Sequence, residues 1–195
     1  MQRILAARKK GQLLPMHVAP DTIPTPVSPI EFDWDLRFDN SATRLGLAYW
    51  RSCCRGRLMP RREDLDPVAM RKFTQHVGLV EARPGAGGGI DYFIRRAGTR
   101  WEDVYGPITG HYLSDFLSPE LEDCWRMVLD AVRTRKAPVR ITSKIDFQEK
   151  NWLSTEFLAA PLGADEAPSM VFITFVAWGD QQIRLPPKSE LLHNA

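Results

Sequence analysis

Four histidines and three cysteines are the side chains here best suited to nucleophilic attack, proton transfer or metal binding, and their spacing supports none of these. His17, His76, His111 and His193 are scattered. No Cys-x-x-Cys, His-x-x-x-His or His-Glu-x-x-His run offers a metal two ligands from one element. Cys124 falls on an apolar helical stripe and reads as core. Cys53 and Cys54 have Arg51 and Arg55 beside them, which can depress a thiol pKa, yet ordinary helix packing accounts for them better. His111 follows Gly110 in a loop and reads as surface rather than as a haem ligand. Gly85 to Gly89 lacks the Lys-Ser/Thr ending and the following helix of a phosphate loop. Asp146 and Glu156 are the two strand carboxylates that acid–base chemistry would need.

The stretch from Ala97 to Phe116 is more informative. Gly98 and Gly106 bracket a short helix bearing Trp101 and Tyr105, and Gly110 precedes a second short apolar piece with Tyr112 and Phe116. Such a chain suits a wall folded over a sheet. Trp101, Tyr105, Phe116 and Trp125 from that wall, with Tyr92, Ile141 and Phe172 from the sheet, compose a candidate ligand pocket, and a packed core competes with it. Arg96, Arg100 or Ser154 would supply the polar contacts. If the strand from Ile90 to Ala97 keeps its alternation, Tyr92, Ile94 and Arg96 share the face under the wall, where an arginine needs an acidic partner or an anionic ligand. The candidate ligand-binding residues are therefore Tyr92, Arg96, Trp101, Tyr105, Phe116 and Trp125. No residue set singles out a cofactor.

The elements that position these residues follow from pattern. Residues 1–37 form a Pro-rich arm: Arg3, Arg8, Lys9 and Lys10 are basic, and Pro15, Pro20, Pro24, Pro26 and Pro29 forbid a regular helix or a central strand. Ser41 caps a helix running to about Arg55, which Gly56 ends. Leu45, Ala48, Tyr49 and Ser52 repeat at helical spacing, with Leu47, Trp50 and Cys54 widening the apolar side. That two-sided apolar character predicts a homodimer through Leu45, Ala48, Tyr49 and Ser52. Asp66-Pro67 restarts a short helix. His76 to Ala82 and Ile90 to Ala97 read as a hairpin around the glycine run. Ser118-Pro119-Glu120 opens the strongest helix, with Leu121, Cys124, Trp125, Val128, Leu129 and Val132 on one stripe and Pro138 beyond its end. Val139 to Phe147, Trp152 to Leu162 and Met170 to Trp178 read as strands, the last nearly all apolar and so central. A loose tail follows from Gly179.

The chain of 195 residues, 44% hydrophobic and 26% charged, has the composition of one globular domain, placed at residues 38–178. A net charge of +2 gives no global attraction to nucleic acid or membrane. Arg44, Arg51, Arg55, Arg57, Arg61 and Arg62 could track phosphates, but they read better as a solvated face paired with Glu63, Asp64 and Asp66. No apolar run reaches the ~20 residues of a membrane span. Neither a signal peptide nor a disulfide framework is evident, which leads to a cytoplasmic expectation.

The order strand, strand, short helices, long helix and three strands resembles the PAS fold. Ala48-Tyr49-Trp50-Arg51-Ser52, Gly56-Arg57-Leu58-Met59-Pro60-Arg61 and Asp64-Leu65-Asp66-Pro67 resemble the N-terminal signature of stand-alone PAS-like proteins of alphaproteobacteria. Gly98-Thr99, Tyr105-Gly106, Thr109-Gly110 and Leu113 are similar to that family's middle block, and Leu158 to Leu162 to its penultimate strand. Arg96 departs from the family's apolar alternation. The resemblance implies an α+β domain: a five-stranded antiparallel sheet with helices on one face and an N-terminal helical extension. It also implies a non-enzymatic sensory or regulatory module, binding a small molecule or a signalling protein partner and commonly dimeric. A nucleic-acid-associated regulator and a cone-shaped α+β isomerase are the alternatives.

Overall fold

The computed structural model describes residues 25–26, 30–85, 87–147, 151–164 and 167–179. Among these, seven strands form one antiparallel sheet: β1 (Thr25–Pro26), β2 (Glu31–Asp33), β3 (Val77–Pro84), β4 (Ile90–Arg96), β5 (Val139–Phe147), β6 (Asn151–Ala164) and β7 (Ala167–Gly179). The five long strands run in the order β5-β6-β7-β3-β4, and β1 and β2 both pair along the outer edge of β5. The expected five-stranded sheet is thus extended by two short strands from the Pro-rich segment. Pro26 lies in the outermost strand, where a missing N–H costs no ladder bond. Within the Pro-rich arm expected over residues 1–37, Glu31–Asp33 pair with Arg140–Thr142 of β5. Residues 1–24, 27–29 and 180–195 lie outside the described residues. The apolar β7 is central, between β6 and β3.

Among the described residues three α-helices accompany the sheet: α1 (Ser41–Cys54), α2 (Thr99–Tyr105) and α3 (Pro119–Arg135). Ser118 caps α3 with its hydroxyl accepting from the Leu121 amide at 3.4 Å, Pro119 takes the first helical position, and Lys136 closes the helix in the left-handed region. Leu121, Trp125, Val128, Leu129 and Val132 are buried, and Cys124 is half-buried beside them. Asp66-Pro67 opens a series of turns, not a helix: Asp66 Oδ1 accepts from the Val68 amide at 2.8 Å, but no second helical turn propagates.

Strand alternation divides the core in two. Val171, Ile173 and Phe175 of β7, with Phe157 and Ala159 of β6, point towards α2 and α3. Met170 and Phe172, with Leu158, Ala160 and Leu162, point towards α1. The helices therefore do not share one face: α2 and α3 cover one side, and α1 covers the other. Phe172 packs against Tyr49, 6.2 Å between ring centroids, and so leaves the expected pocket. The buried stripe of α1 is Thr43, Gly46, Leu47, Trp50 and Cys53, one position away from the stripe expected to form an interface. Leu45, Ala48 and Ser52 are exposed, while Tyr49 is half-buried.

Gly46 sets the distance from α1 to the sheet, because a Cβ there would meet the Thr174 side chain at 2.5 Å. Gly46→Ala is expected to destabilise the protein by about 1–3 kcal/mol through overpacking. Chemical denaturation of this variant beside the exposed control Ala48→Ser measures it, and equal midpoints would contradict the close approach.

Candidate functional site

The sequence-predicted aromatic set is largely brought together. Trp101 is 1% exposed, its indole N–H donates to the His76 carbonyl at 3.1 Å, and its ring lies 5.4 Å from Trp125 and 5.5 Å from Phe175. Trp125 stacks on Phe157 at 5.0 Å, and Tyr105 meets both Trp125 and Phe175. Two glycines permit this. A Cβ on Gly78 would meet the Trp101 ring at 2.7 Å, and one on Gly98 would meet the Gln75 carbonyl oxygen at 2.3 Å. Burial drives the Tyr105 hydroxyl strongly upward in pKa, so it stays neutral.

The wall leaves little room. A void bounded by Trp101, Tyr105, Phe116, Trp125, Ile94 and Leu113 holds about 10 Å³ for a water centre. A second, beside Phe157 and Ile145, is of the same size. Each is at the threshold for a single water, so the aromatic rings fill the space that a ligand would take. The packed-core alternative describes this conformation.

Tyr92 is buried but points away from that void. Its hydroxyl donates to Asp130 on α3 and accepts from Arg133 Nη1 at 3.4 Å. Burial, and then the Asp130 carboxylate, push its pKa up to about 12. Arg126 fixes the same seam, reaching the Ile90 carbonyl and the Asp91 carboxylate, each at 2.8 Å. Tyr92 thus fastens α3 to β4.

Arg96 is not under the wall. Leu79 pairs with Arg96 but Val80 pairs with Ile94, so β4 carries one extra residue at a bulge. The alternation reverses, and Arg96 emerges exposed on the α1 side with Nη2 3.2 Å from Thr74 Oγ1. Its expected place beside Tyr92 and Ile94 is corrected by that bulge. Arg100 is also exposed, 3.6 Å from Asp103. Burial raises the Cys54 thiol pKa against the lowering effect of Arg57 and Arg51, so Cys54 is no activated thiolate.

The charged centre of the molecule is Glu156, fully buried on β6. Its Oε1 accepts from the Thr43 hydroxyl at 2.5 Å and the Asn40 amide at 3.0 Å; its Oε2 accepts from the Asp39 amide and from Arg140 Nε, both at 2.8 Å. Asn40 occupies the cap position of α1 without a side-chain bond, and Ser41 is already helical, so the strand carboxylate replaces the expected Ser41 cap. Burial would raise the Glu156 pKa, but the Thr43 hydroxyl, the two amides and Arg140 outweigh it and hold the carboxyl below its usual range. Every described bond of Glu156 runs to a donor of the fold itself. The Asp146 side chain lies outside the described residues. Among the described residues no cluster of three His, Cys, Asp or Glu side chains could hold a metal.

Sequence reasoning treated Glu156 as a possible acid and passed over Arg140. The available signal was a lone glutamate beside the apolar run Phe157-Leu158-Ala159-Ala160, with an arginine on the preceding strand. Ser154, expected under the wall, instead faces an open groove of about 270 Å³ on the α1 side, lined also by Glu31, Asp39, Arg140, Thr142, Lys144 and Trp178.

Two expected outcomes follow. Trp125→Ala should cost about 3–5 kcal/mol, because the stacked indole supports both the wall and α3; a midpoint shift below about 1 kcal/mol would place that side chain outside the core. A carboxyl with a lowered folded-state pKa contributes stability above its unfolded pKa, and this is lost as pH falls through the folded value. Glu156→Gln should therefore cost about 1–3 kcal/mol near neutrality, because its amide nitrogen turns a donor towards donors while Arg140 keeps Asp39, and less in acid. Melting curves between pH 7 and pH 3 test this, and parallel curves for the two proteins would contradict it.

No helix among the described residues is long and apolar enough to cross a membrane. No curated protein and no solved structure matches the chain significantly. A family model described as the PAS domain matches residues 38–175, the span that holds α1, both cores and the long strands almost to the end of β7. With that match and its β5-β6-β7-β3-β4 sheet under a short-helix wall, the chain belongs to the PAS domain family, whose members are sensory and signalling modules.

Proposed function

We propose that this PAS module is regulatory rather than enzymatic and works through contact with another protein, the first partner being a second copy of itself. The observation that carries this reading is the filled wall: Trp101, Tyr105, Phe116 and Trp125 leave about 10 Å³ between α2 and the sheet. A small molecule of even ten heavy atoms would have to displace at least one of these rings. The exposed face of α1 supports the homodimer. Leu45 is 46% exposed on it, Ala48 lies one turn further on, and Leu58 beyond the helix is 55% exposed. Tyr49 supports that surface from below. Its hydroxyl accepts from the Asp66 amide at 2.6 Å, and its ring meets Phe73 at 5.8 Å.

The alternative of phosphate tracking draws less support. Arg44 donates to the Phe38 and Asp39 carbonyls at 3.0 and 2.8 Å, and Arg57 is paired with Asp64, so two of the basic row are committed to the fold. Arg44 and Arg51, exposed on α1 with Leu45, repel their counterparts in a second copy. A dimer through this face is therefore expected to tighten as salt rises, whereas nucleic-acid binding would weaken.

Sedimentation of the intact protein tests this reading. A dimer at micromolar concentration is expected, lost in Leu45→Glu with an unchanged melting temperature. A monomer at high micromolar concentration, or an undiminished Leu45→Glu dimer, would overturn it. Native mass spectrometry of the same sample would overturn the filled-core argument if it showed a retained small molecule.

A further inference from the structure

On the α1 side of the sheet, beyond the helix start at Ser41, Ser154 pairs with Lys144 on one side and with Trp178 on the other. Thr142, paired with Glu31, belongs to the adjoining row. With Asp39 and Arg140 these residues line an open groove of about 270 Å³. That is close to the lower bound of small-molecule pockets and far above the water-sized voids of the core. From β2 to β7 the groove crosses three strand spacings, roughly 14 Å.

Several groups in it have capacity to spare. Trp178 is 40% exposed and meets no other ring among the described residues. The indole N–H groups of Trp50 and Trp101 donate to the Pro161 and His76 carbonyls, whereas that of Trp178 has no described acceptor. The Ser154 hydroxyl likewise has no described bond. The bond described for Glu31 is a long one from the Thr142 hydroxyl at 3.4 Å, and the Asp39 side chain is 79% exposed with Oδ2 alone bonded, to Arg140.

The described lining carries no net charge, because Glu31 and Asp39 match Arg140 and Lys144 in number. Arg140 is already engaged by Glu156, Asp39 and Asp33. An ion of either sign therefore gains little here. The groove offers a flat apolar ring at one end, with hydroxyls and carboxylate oxygens towards the other. A sugar ring is built to match: C–H bonds on its face, and a rim of hydroxyls that each donate and accept. A planar aromatic ligand would also stack on the indole, but the rest of the lining is polar and suits a hydroxylated rim.

We propose that this groove binds a short neutral oligosaccharide of pyranose units. One ring would stack its C–H face on Trp178 beside the Ser154 hydroxyl, and the next would donate hydroxyls to Glu31 and Asp39. The site lies outside the filled core, and neither Lys144 nor dimerisation through α1 enters the inference.

Ligand-detected NMR titration of the intact protein with cellobiose, maltose, lactose and N,N′-diacetylchitobiose tests it. Saturable binding of at least one is expected, with the same affinity at low and high salt because no net charge is screened. Trp178→Leu should weaken that sugar about two- to tenfold, and Glu31→Ala should weaken it as well, both with unchanged melting temperatures. Absence of saturable binding for all of these sugars would overturn the proposal, as would equal affinity in Trp178→Leu. Tighter binding of spermidine, citrate or adenosine than of every sugar would overturn it too, by assigning the groove to a cation, an anion or a planar base. Should Trp178→Leu melt early, Glu31→Ala at the opposite end decides, and unchanged affinity in that variant would overturn the proposal.

Discussion

The α1 side of this domain depends on one carboxylate. Glu156 lies in the middle of a sheet with no exposure, a position that would be prohibitive without compensation. Four donors supply it: the Thr43 hydroxyl, the amides of Asp39 and Asn40, and Arg140. The two amides belong to the entry of α1, where the helix dipole favours an anion. Arg140 belongs to β5 and also bridges to Asp33 and Asp39. One side chain thus joins β6, β5, the segment after β2 and the start of α1. Each partner is satisfied by the others, so the position of the helix is set by charge before apolar packing refines it.

Packing then does the rest on both faces. On the α1 side Gly46 lets the helix approach Thr174, and Trp50 donates to the Pro161 carbonyl at 2.8 Å. On the other side Gly78 and Gly98 admit Trp101, which lies between β3 and Trp125. The wall and the sheet are complementary to within the size of a water. Among the described residues, the voids in the core are of water size, and two surfaces stand out, the outer face of α1 and the groove beyond its N-terminus.

These two surfaces differ in chemistry. The face around Leu45 is apolar with arginines at its flanks, which suits a second apolar helix. The groove at Trp178 combines an indole with two carboxylates, Glu31 and Asp39, and two cations, Arg140 and Lys144. Both border the Glu156 cluster, through α1 in one case and Arg140 in the other.

Local chemistry alone determined most of the elements. Ser118-Pro119 and the apolar stripe of α3, the glycines bracketing α2, the glycine run between β3 and β4 and the continuous apolar character of β7 each act within a few residues, so they are legible in the sequence. The aromatic wall was legible too, because Trp101, Tyr105, Phe116 and Trp125 have few places to go except a core. What the tertiary structure decided were facings. A single extra residue in β4 reversed Arg96, and the opposing sheet selected Thr43, Gly46, Leu47, Trp50 and Cys53 as the buried stripe of α1. Periodicity gives the spacing of a pattern but not its zero, which only the opposing surface supplies. The role of Glu156 was out of reach for a related reason: its donors Asp39, Asn40 and Thr43 are more than a hundred residues away in the chain, and only the closed sheet brings their amides and hydroxyl to it.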